Sequence, residues 1–108
     1  MRPNPEITLS APAERRAQPR IYGPFPVRVR GVGAEGARFR GEAALDDMSA
    51  ADFNLCLPQR ADVGRRLLAV IRLCGAVVAL SGVVRRAEPQ GDGGCRLNVL
   101  VMHYRFLS

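Results

Sequence analysis

The side chains best suited to recognition chemistry fall in two short polar segments, ERRAQPR at 14–20 and DDMSAAD at 46–52. The first presents Arg15, Arg16 and Arg20, with Arg16 and Arg20 in an RxxxR spacing. A guanidinium is a planar fork of donors that grips phosphate oxygens, or the O6/N7 edge of guanine, in pairs, and its flat face stacks on a base. The second segment presents Asp47 and Ser49. A carboxylate accepts from paired N–H donors, and a hydroxyl adds one more bond or holds a turn. Each segment also has a plainer reading. With 16 arginines in 108 residues, roughly two RxxxR pairs arise by chance. Asp and Ser, for their part, commonly bond to nearby backbone in turns. Pro19 disfavours helix at Gln18, so the two signature arginines are expected on an extended loop.

Other chemistries are poorly supplied. His103 is the single histidine, so triads and His-rich metal sites have nothing to be built from. Cys56, Cys74 and Cys95 form no CxxC pair, and Cys56 and Cys74 sit in apolar runs, where they read as small packed hydrophobes in a reduced cytoplasm. Asp46 and Asp47 are adjacent, so on a strand they would face opposite ways, which excludes them as an acid/base pair. A non-enzymatic protein without metal or cofactor is expected. The first twenty residues lack the apolar core of a signal peptide and no stretch is long enough to span a bilayer, so the expected location is the cytoplasm, without membrane insertion. A net charge of +6 favours an anionic partner without choosing one. Every cation is arginine, as a GC-rich genome would also produce.

The elements that must position these residues follow from hydrophobic period. Residues 1–24 carry five prolines, at positions 3, 5, 12, 19 and 24, and read as an extended, flexible Pro/Arg-rich arm. From Phe25 the chain alternates, with Phe25, Val27 and Val29 on one face and Arg28 and Arg30 on the other. After Gly31, Gly33 and Gly36 the alternation resumes with Ala37, Phe39, Ala43 and Leu45 inward and Arg38, Arg40 and Glu42 outward, which makes a hairpin. Phe53, Leu55 and Leu57 form a short third strand ended by Pro58. Arg65 to Leu73 and the GAVVALSGVVRR stretch read as a second hairpin about Gly75; helix is the competing reading for RRLLAVIRL, and its β-branched residues and length favour strand. EPQGDGG is a turn, and CRLNVLVMHYRFLS a last long strand with no long helix after it. Six strands predict a small antiparallel β-barrel over residues 25–108, because closure removes exposed edges.

The Arg-rich arm, the β pattern a few residues later and the DxSxx turn between strands two and three together resemble the PilZ domain family, over nearly the whole chain from Glu14 to Phe106. The family signature is RxxxR followed by [D/N]xSxxG; Arg16 and Arg20 match the first part and Asp47 and Ser49 the second, while Asp52 stands where the family has glycine. The resemblance implies a six-stranded barrel that binds the bacterial second messenger cyclic di-GMP on its outside, clamped by the arginine arm. Arg16 and Arg20 would take phosphate or guanine, Asp47 and Ser49 the guanine donors, and Arg15 would help a second, stacked ligand molecule. Ordering of the arm would then relay binding to a partner protein.

Asp52 leads to a second reading, a degenerate module that binds no nucleotide and acts as a protein–protein adaptor. Val78, Leu80, Val84, Leu100, Met102 and Phe106 are expected to leave an outer apolar face that a homodimer or a partner protein covers. Nucleic acid is the third reading, carried by Arg28, Arg30, Arg38 and Arg40 and opposed by the lack of an exposed aromatic platform, since Tyr22, Tyr104 and the phenylalanines fall mostly at inward or terminal positions.

Overall fold

The computed structural model describes residues 19–107. Six strands run in chain order, β1 (Ile21–Val32), β2 (Arg38–Met48), β3 (Asp52–Leu57), β4 (Arg66–Leu73), β5 (Ala76–Pro89) and β6 (Cys95–Phe106). All neighbours are antiparallel, and one sheet closes on itself in the order β1-β2-β3-β6-β5-β4. No α-helix occurs among the described residues, and none of their elements is a helix long and apolar enough to cross a membrane. The RRLLAVIRL stretch forms strand β4 from its second arginine, Arg66, onward. β1 starts at Ile21 rather than at Phe25 and pairs its first residue with Met48. Arg15, Arg16 and most of the 1–24 arm lie outside the described residues.

Alternation creates the interior. Leu45, Phe53, Leu55, Leu97 and Val99 are fully buried, and Val27, Val29, Leu67, Ile71, Val78, Leu80 and Val84 complete the core inside the ring. Each such side chain contributes about 1.5–3 kcal/mol relative to exposure. Val78, Leu80 and Val84 therefore do not belong to an outer apolar face; their strand parity turns them inward, and the exposed apolar residues of this hairpin are Leu100, Met102, Tyr104 and Phe106 on β6.

Four irregularities break the ladders: β1 shifts register against β2 between Tyr22 and Phe25, and three others insert a single residue. Asp46 is an extra residue between the Leu45↔Leu55 and Asp47↔Asn54 pairs, Arg85 between Val84↔Val99 and Arg86↔Asn98, and Met102 between Gly82↔Val101 and Ser81↔His103. A bulge sends two successive side chains to one face and strengthens local twist. Asp46 and Asp47 consequently both stand outside, beside Cys56 and Asn54 respectively, rather than on opposite faces. At the Met102 bulge β5 and β6 come so close that a Cβ on Gly82 would collide with the Leu100 carbonyl oxygen, so glycine is required there. The β4–β5 hairpin turns on Cys74 (φ 48) and Gly75 (φ 86), both positive as a two-residue turn matched to strand twist demands. Cys74 is thus an exposed turn residue and not a packed hydrophobe.

Candidate functional site

The Asp46 and Arg85 bulges flank the shortest strand, β3, and its neighbour β6. In register, Asp47 faces Asn54 and Asn54 faces Asn98, so a polar row crosses the outside of three adjacent strands. The row is hydrogen-bonded throughout. Asn54 Nδ2 donates to Asp47 Oδ1 at 2.9 Å, Asn98 Nδ2 donates to Asn54 Oδ1 at 2.8 Å, and Arg85 Nε donates to Asn98 Oδ1 at 2.8 Å.

Arg20 reaches this row from just before β1. Its Nε donates to Asp47 Oδ1 at 2.9 Å and its terminal nitrogen lies 2.8 Å from the same oxygen and 2.9 Å from Asp52 Oδ1. The other Asp52 oxygen accepts from Asn98 Nδ2 at 2.9 Å and from Arg85 at 3.3 Å. Asp52 is therefore the hub, holding two arginines, one asparagine and, through Ser49 Oγ at 3.1 Å, the β2–β3 turn.

Ser49 is buried and spent within that turn. Its oxygen accepts from the backbone N–H of Ala51 (3.1 Å) and Asp52 (3.3 Å), and its own N–H donates to the Asp52 carbonyl at 2.8 Å. Its role is to fix the loop that aims Asp47 and Asp52. Among the described non-glycine residues only Glu35 and Cys74 have positive φ, so the backbone at 52 is one any residue adopts and does not call for glycine.

Burial alone would raise the Asp52 pKa, but hydrogen bonds from Asn98 and Arg20, the Arg20 charge and the Ser49 hydroxyl outweigh it and hold the carboxyl below its ordinary value. Burial would likewise lower Arg20, and the bonds and charges of Asp52 and Asp47 hold it above. Asp52 stays ionised near neutral pH, which suits it to recognition and pairing and not to proton transfer. Arg20, Arg85, Asp47 and Asp52 also sum to zero charge.

Of the residues singled out from sequence, Arg20, Asp47 and Ser49 come together here, while Arg15 and Arg16 lie outside the described residues. Asp52, Asn54, Asn98 and Arg85 were missed as participants. Asp52 had been noted only as a departure from the signature glycine; the trace of the others is polar residues within apolar strands, FNLCL and RLNVLVM, and the doubled Arg85-Arg86. Among the described residues no group of His, Cys, Asp and Glu is placed to hold a metal ion. Neither the family models nor the curated proteins yield a match to this chain.

Proposed function

We propose that this chain is a PilZ-like receptor domain that binds cyclic di-GMP on the outside of its β-barrel and relays occupancy to a partner protein through the arm preceding β1. The observation that supports this reading is the Arg20–Asp47 contact, which brings together two signature segments at residues 27 positions apart. The ligand offers two phosphates and two guanines. Asp47 has the chemistry to accept from guanine N1 and N2, and Arg20 to grip phosphate or the O6/N7 edge. Arg15 and Arg16 precede Arg20 in the sequence and carry further positive charge, while the cluster itself is neutral. Because Arg20 is already bridged by two carboxylates, ligand phosphate must take the place of Asp52 on it. That exchange frees Asp52 and reorders the residues that lead into β1, which is the relay.

The neutrality of the cluster is also the observation that favours the second reading, an adaptor that binds no nucleotide. Calorimetric titration separates the two. Wild type should bind cyclic di-GMP at micromolar affinity or better, Arg16→Ala and Arg20→Ala should each lose most of it, and Asp52→Gly should gain about tenfold by removing the internal competitor. No heat from wild type with clear binding by Asp52→Gly would establish the adaptor reading.

A further inference from the structure

A second region of the outer surface is built in the opposite way. On strands β1, β2, β4, β5 and β6 the outward positions line two adjoining open hollows of about 910 and 600 Å³. Arg28, Arg30, Arg38, Arg40, Arg66 and Arg105 stand around them. None of these six is in an ion pair among the described residues, and Glu42 is the one carboxylate among the described lining residues. Arg30 and Arg40 are direct cross-strand partners, an arrangement that costs stability unless something anionic relieves it. Between the arginines the floor is aliphatic, formed by half-buried Leu68, Val70 and Ala79, with exposed Leu107 at one end.

We infer that this groove docks an acidic amphipathic segment of a partner protein, with its apolar side chains on Leu68, Val70 and Ala79 and its carboxylates on the flanking arginines. Charge complementarity favours an acidic partner over a second copy of this chain, whose charge is +6 as well. The aliphatic floor distinguishes the occupant from nucleic acid, whose phosphates would suit the arginines but whose bases need aromatic platforms. Of phenylalanine, tyrosine and tryptophan, Phe39 alone lines the first hollow and Tyr104 alone the second, so neither hollow offers a pair of such rings on which successive bases could stack. An amphipathic helix laid in a groove uses both features, apolar anchors at i, i+3, i+4 and i+7 and charge on its flanks. The groove shares no residue with the Arg20 cluster, so the inference stands whether or not that cluster takes a nucleotide.

The test is fluorescence anisotropy with a labelled synthetic peptide of about fifteen residues, leucine at the helical anchor positions and glutamate elsewhere. Parallel probes are the same peptide with serine for leucine, and oligouridylate of similar length. The leucine peptide should bind the 108-residue chain at physiological salt, at least about tenfold more tightly than the serine peptide. Arg30→Ala/Arg40→Ala, which touches no core residue and leaves cyclic di-GMP titration unchanged, should cost at least about tenfold, and Val70→Ser about threefold or more. Equal binding of the two peptides, binding indifferent to the arginine variant, or tighter binding of oligouridylate each overturns the inference.

Discussion

The outer surface holds two arginine sites with opposite electrostatics. Around Asp52, Arg20 and Arg85 are matched by two carboxylates and two asparagines, and the side chains sit in one hydrogen-bonded row. Around Leu68 and Val70, Arg30 faces Arg40 across the β1–β2 hairpin with no carboxylate between them. The difference shows that an arginine's position relative to the nearest carboxylate, and not the net charge of the chain, decides what it does. The matched site is self-sufficient, and any ligand of Arg20 would have to compete with its internal bonds. The unmatched one is incomplete alone and gains from any anion that reaches it.

The largest contrast should appear when each region loses one charged side chain. Asp52→Ala leaves Asn98, at 6% exposure, and two guanidinium groups without their common acceptor. Orphaned buried donors cost about 1–3 kcal/mol, so the variant should melt roughly 10 °C below wild type. Arg30→Ala in the groove should change stability by less than about 0.5 kcal/mol. Thermal unfolding followed by circular dichroism gives both values. Equal losses at the two positions would show that the Asp52 hub is not what holds β2, β3, β5 and β6 together on this side.

A smaller effect, confined to acid, follows from the lowered Asp52 pKa. A carboxyl whose folded value lies below its unfolded one contributes stability above the unfolded value, which for Asp is near 3.8, and loses it as pH falls through the folded value. Urea unfolding of wild type and Asp52→Asn should therefore differ most at pH 5–7, converge below pH 4 and meet once wild-type Asp52 is protonated. Arg28→Gln in the groove removes no depressed carboxyl and should run parallel to wild type through the same acid range. A constant gap between wild type and Asp52→Asn down to pH 2 would mean that shape, and not ionisation, holds the cluster.

These two regions were not equally legible in the sequence. The groove's arginines were visible because strict alternation in VRVR and RFRGE assigns each side chain to a face, and period two is a local property. Strands β1 to β3 were legible for the same reason, whereas RRLLAVIRL, apolar on both faces, was read as strand from its length, its β-branched residues and Gly75. The Arg20 cluster was visible only in its Arg and Asp signature. Its other half depends on β3 pairing with β6, a closure between strands that are not consecutive in the chain, and on bulges at Asp46 and Arg85. One inserted residue leaves little trace in a hydrophobic pattern. The trace it did leave is the doubled polar residue, Asp46-Asp47 and Arg85-Arg86, where regular alternation would allow one outward side chain. Read that way, Asp46-Asp47 would have been placed on one face from the start. Cys74 was misread because its apolar flanks mask a turn whose only marker is Gly75.

The smallest expected effect probes the groove's incompleteness directly. Arg40→Glu converts the Arg30–Arg40 pair into an opposite-charge cross-strand pair, and such pairs contribute about 0.2–1 kcal/mol. Arg40 is exposed and points away from the core, so repacking adds nothing to the change. The variant should be more stable than wild type by about that amount at low salt, an unusual sign for a single substitution. Added sodium chloride screens repulsion in wild type and attraction in the variant, so the gap should close as ionic strength rises towards 1 M. Acidic peptide should bind the variant more weakly over the same range, because the stability gained inside the chain is the charge the partner would have met. A variant less stable than wild type at low salt would mean that Arg30 and Arg40 already have their anion elsewhere in the chain, and the two arginine sites would then be alike.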